Sequence, residues 1–85
     1  MTLDSPDALN RFIGEVRVEL DALGFQRAAR RLAEVQETTY PTGSEWLGKL
    51  GTAINEIRTE RDLPADIVAK LETIRAQVRR VWPGL

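Results

Sequence analysis

A chain of 85 residues with 42% apolar side chains has material for one hydrophobic core but not two, so a single domain over residues 1–85 is expected. Twelve basic residues against 13 acidic ones, interleaved along the chain, leave a formal net charge of -1, which argues against broad electrostatic binding to nucleic acid. Cysteine and histidine are both absent, which excludes disulfides, zinc sites of the usual ligands, Cys–His nucleophiles and Ser–His–Asp triads.

The opening "MTLDSPDALN" carries acids where a secretory signal needs basic residues, and no apolar run approaches the roughly 20 residues of a membrane span. A soluble, cytoplasmic protein is the expectation. Arginine far outnumbers lysine, a bias that fits a GC-rich bacterial genome.

The first helix is predicted over 5–23. Ser5 suits the N-cap, Pro6 the first helical position and Asp7 the first turn. Leu9, Phe12, Ile13, Val16, Leu20 and Leu23 recur at three- and four-residue spacing and make one stripe, while Val18 points the opposite way. Gly24 suits a C-terminal cap. A second, shorter helical pattern covers 25–37, with Phe25, Ala28, Ala29, Leu32 and Val35 on one face and Arg27, Arg30, Arg31 and Glu34 on the other. With Gly24 as the only punctuation, the pattern admits either a separate helix or a kinked continuation of the first.

Pro41 disfavours helical geometry at Tyr40 and removes an amide donor, so the chain turns there. Thr42 and Glu45 have capping-box spacing, and Trp46 is the fourth residue of the helix they begin. Leu47, Leu50, Ile54 and Ile57 form its buried seam, to about Glu60. Ser44, Gly48, Gly51 and Asn55 form a second stripe of small residues. Each interior glycine costs about 1 kcal/mol relative to alanine, so the two require compensation.

The fourth helix begins near Pro64, with Asp66 in its first turn and Ile67, Leu71, Ile74, Val78 and Val81 on one face. Arg75, Arg79 and Arg80 lie toward its carbonyl end, where the helix dipole favours cations, and Pro83 and Gly84 end it. Three long amphipathic helices and one shorter one, with no strand signal, predict an all-α, antiparallel four-helix bundle.

Few residues in this pattern point to chemistry. The glycines of "LGKLG" lie inside a helix, without the strand that a phosphate loop requires before it. Glu15 with Glu19, and Glu56 with Glu60, have the spacing to share a proton or a cation, but they fall on solvent faces beside arginines. The basic clusters Arg27, Arg30, Arg31 and Arg75, Arg79, Arg80 lie within pairing distance of Glu34, Glu37 and Glu72 and read as salt-bridged surface. Their other readings are a patch for an acidic protein and, last, a grip on nucleic acid.

The candidate partner surface is Tyr40, Trp46, Gly48, Gly51 and Trp82. The aromatics there either close the edge of the core or anchor an interface, while the glycines let a neighbouring helix, internal or from a second chain, approach closely. The expected function is therefore a small non-enzymatic module that binds another protein or a second copy of itself, with no cofactor and no metal. In size and helical make-up the chain is similar to small bacterial immunity proteins and antitoxins. That likeness of architecture supplies the alternative, a toxin inhibitor, and implies no site. Nuclease inhibitors of that kind are strongly acidic, which a net charge of -1 does not match.

Overall fold

The computed structural model describes residues 5–84. Four helices, α1 (Pro6–Ala22), α2 (Gln26–Glu37), α3 (Gly43–Ile57) and α4 (Ala65–Arg79), form an all-helical bundle, and no strand occurs among the described residues. Helices α1 and α3 begin at side-chain caps, whereas α2 and α4 have none. The Ser5 hydroxyl accepts a hydrogen bond from the Ala8 amide at 3.1 Å, with Pro6 at the first position where no amide is needed. The Thr42 hydroxyl accepts from the Glu45 amide at 3.1 Å. The reciprocal half of that capping box, from the Thr42 amide to the Glu45 carboxylate, is not formed, so one orphan amide rather than two is satisfied.

Gly24 decides whether the first two helices are one. Its φ of 90° lies in the left-handed region, which costs a residue with a Cβ. Around it the Phe25 amide donates to the Leu20 carbonyl at 2.9 Å and the Gly24 amide to the Asp21 carbonyl at 3.1 Å. These two bonds make a Schellman cap, which ends α1 and reverses the chain into a separate α2. That α2 is the shortest helix, with 12 residues.

The helices alternate in direction. Gln36 near the end of α2 bonds to Asn10 near the start of α1, Lys70 early in α4 meets Glu19 late in α1, and Trp82 beyond α4 reaches Ser44 in the first turn of α3. In cross-section α1 touches α2 and α4, and α3 touches the same two, while the diagonal pairs α1/α3 and α2/α4 stay apart. The predicted stripes converge on the axis. Ile13, Val16, Leu20, Leu32, Leu50, Ile54, Ile67, Leu71, Ile74 and Val78 are wholly buried, and no polar or charged residue is buried among those described. Phe25, Trp46, Leu47 and Leu63 pack against the edge of this core.

Two stripe positions differ from expectation, both at helix ends. Leu23 is the residue after the last turn of α1, where the chain leaves the helical path, and it is 53% exposed. Val81 comes after the end of α4 and is exposed for the same reason. The third helix also stops three residues earlier than its pattern suggests. Amides of Thr59 and Glu60 turn back to the carbonyls of Glu56 and Ile57, a tighter three-residue winding, and Asp62 then takes φ 65° before Pro64.

Candidate functional site

The small-residue stripe has an occupant from its own chain. Trp82 lies over Gly48, where a Cβ would sit 3.5 Å from the indole Nε1 and 3.6 Å from Cε2. The same indole N–H donates to the Ser44 carbonyl at 2.7 Å, one turn earlier on α3. Any side chain beyond Cβ at position 48 would meet the ring. Gly51 is buried, Trp46 is half-buried against the core and Tyr40 is half-buried in the α2–α3 connection, while Trp82 remains 43% exposed. Tyr40, Trp46 and Trp82 thus gather at one end of the bundle. A shallow depression of about 310 Å³ beside Tyr40, Pro41 and Trp46 lies at this end, and one of about 230 Å³ opens between Leu9, Trp46, Leu47 and Val81.

The two arginine clusters do not join. Arg27, Arg30 and Arg31 belong to α2, and Arg75, Arg79 and Arg80 to the far half of the diagonally placed α4 and its cap. Arg31 is committed twice, to Glu34 at 3.5 Å and across to Glu56 on α3 at 2.9 Å. Arg75 lies 3.8 Å from Glu72, which takes Arg58 from the end of α3 at 2.7 Å, and the Arg75 Nε is buried without a hydrogen-bond partner among the described residues. Arg80 donates to Gln77 at 3.3 Å. The carboxylate pairs are likewise divided, since Glu19 holds Lys70 and Glu56 holds Arg31. No acidic cluster among the described residues has the makings of a metal site.

Each of the four seams between neighbouring helices carries one polar link between side chains. Three are ion pairs: Arg31–Glu56 for α2/α3, Arg58–Glu72 for α3/α4 and Lys70–Glu19 at 2.6 Å for α1/α4. The Glu19 hydrogen bond holds the Lys70 ammonium above its ordinary pKa, against a smaller opposing effect of desolvation. A group whose pKa is raised by folding contributes stability that is fully present below the unfolded value and is lost as pH rises through the folded one. The Glu19→Gln variant should therefore melt below the wild type at neutral pH, and the gap should close as pH climbs past 10.5, the ordinary lysine value. Thermal melts of the two proteins across that range test it.

The fourth seam differs. Between α1 and α2 the link is a neutral one, from the Gln36 amide to the carbonyl and side chain of Asn10 at 2.9 and 3.0 Å. Further along the same seam lies a groove of about 460 Å³, bordered by Arg17, Val18 and Asp21 from α1 and by Gln26, Ala29, Arg30 and Ala33 from α2. The alanines leave room between the helices. Val18 is 63% exposed, more than any other large apolar residue described. Arg17, Asp21 and Arg30 form no ion pair among the described residues. Sequence reasoning placed Val18 on the outer face but did not unite it with these neighbours. The available signal was an outward valine with two small residues, Ala29 and Ala33, on the adjoining helix.

The chain matches no protein-family model, no curated protein and no solved structure. Its own geometry is therefore the ground for a functional reading. No described helix is long and apolar enough to cross a membrane.

Proposed function

We propose that this chain is a non-enzymatic protein-binding module and that its contact surface is the outer face of α1 and α2. The observation that carries this is the unneutralised α1–α2 groove, where Val18 stands in solvent between charged side chains that have no ion-pair partner among the described residues. Along the other three seams the bundle uses its charges on itself. An exposed apolar centre with a polar rim is the arrangement of a protein contact, and covering a valine that is mostly exposed contributes about 1–2 kcal/mol.

The aromatic end offers less free surface than its residues suggest, because Trp82 already fills the space that Gly48 opens. Affinity capture from native lysate with Val18→Glu and Trp46→Ala run beside the wild type separates the two surfaces. The expected result is a partner retained by the wild type and by a folded Trp46→Ala protein, and at least tenfold depleted with Val18→Glu at unchanged circular dichroism. Retention by Val18→Glu with loss by folded Trp46→Ala would move the surface to the aromatic end.

A further inference from the structure

Resting on that reading, we infer that the α1–α2 groove takes an amphipathic helix whose flanks are acidic. The groove is a trough between two antiparallel helices, lined by Arg17, Val18 and Asp21 of α1 and by residues of α2 from Gln26 to Ala33, a span of about 11 Å that takes about two turns of a docked helix. A third helix laid into such a trough presents apolar side chains at three- and four-residue intervals, the standard mode of groove recognition. Val18, Ala29 and Ala33 would receive them.

Charge selects the flanks. Arg17 on one wall and Arg30 on the other are cations with no acid paired to them among the described residues, against one carboxylate, Asp21, in the same lining. Arg17 is half-buried and Arg30 exposed, and neither has a carboxylate among the described residues to give up before it meets an incoming one. A helix with carboxylates on both sides of its apolar stripe answers both arginines. A helix with basic flanks meets two like charges and one opposite. A second copy of α1–α2 would bring its own Arg17 and Arg30 to the same trough, a poorer match than a purely acidic flank.

The test uses the full chain and three stapled helical peptides of about 16 residues, sharing one leucine stripe and flanked by Glu, Gln or Lys. Fluorescence anisotropy should rank their affinities Glu above Gln above Lys, with roughly tenfold between Glu and Gln from two surface ion pairs, narrowing as salt is added. Val18→Glu should abolish binding of the Glu peptide. The double variant Arg17→Glu, Arg30→Glu should reverse the ranking. Equal affinity for all three peptides, or binding of none, overturns the acidic-helix inference. If Val18→Glu still loses its lysate partner in either case, the protein-binding reading stands alone. If sedimentation shows a dimer of the wild type that Val18→Glu dissociates, a second copy holds the groove and the inference fails. Loss of both the peptide ranking and any Val18 dependence in lysate removes the reading beneath it as well.

Discussion

Leu50→Ala is expected to lower the unfolding free energy by about 2–5 kcal/mol, the largest effect of any single substitution proposed for this bundle. Leu50 is wholly buried on the inward face of α3, in one seam with Leu47, Ile54 and Ile57. Neighbours fixed in a packed core relax only in part into the vacated space, so the cavity left behind adds to the lost burial. A domain of this size has about 4–13 kcal/mol of stability in all. The variant should therefore melt some 10–30 °C lower, roughly in proportion to the loss. Urea denaturation monitored by circular dichroism measures the loss, and Leu50→Met, which keeps the volume, should cost below about 1.5 kcal/mol. A Leu50→Ala loss no greater than that of Leu50→Met would mean that the core does not close around this position.

Trp82→Ala comes next, at about 2–3 kcal/mol. The indole is a little more than half covered, which at about 25 cal/mol per Å² accounts for most of that figure, and the hydrogen bond to the Ser44 carbonyl supplies the rest. Trp82→Phe separates the two contributions, because it keeps a ring over Gly48 and removes only the donor. It should cost about 1 kcal/mol. Gly48→Ala should be neutral to stabilising by up to about 1 kcal/mol, since its Cβ makes an ordinary contact with the ring and a helix-interior glycine is relieved. Gly48→Leu should behave like Trp82→Ala, because the longer side chain and the indole claim one space. Equal stabilities for wild type and Trp82→Ala in urea would show that the ring is not docked in solution.

Much of the fold was legible because its causes are local. Ser5, Gly24, Thr42 and Pro41 act on amides and dihedrals within a few residues of themselves, and periodic stripes need only the geometry of a helix. Leu23 and Val81 escaped because the period continues in the sequence past the residue where the helix ends. The candidate site was less legible, since its decisive contacts join distant parts of the chain. The stripe of Ser44, Gly48, Gly51 and Asn55 signals that something comes close, but not that Trp82 does. Pairs at helical spacing, Arg31 with Glu34 and Arg75 with Glu72, can be read from the sequence. The bridges from Arg31 to Glu56 and from Arg58 to Glu72 depend on which helices become neighbours, and Glu37, equally eligible by spacing, pairs with no residue described. The charges left over at the α1–α2 groove are visible only after that assignment is complete.

The order of the seams bears on how the chain finds its structure. Three of the four join helices consecutive in the chain, through the connections at 23–25, 38–42 and 58–64, so each can close as a hairpin with little loss of chain entropy. The α1/α4 seam alone requires the two ends of the chain to meet. Consecutive helices are thus expected to pair first, before the step in which α4 settles against α1 and Lys70 reaches Glu19. A bundle wired in this sequence folds fast and without the long-range pairing that slows sheet proteins.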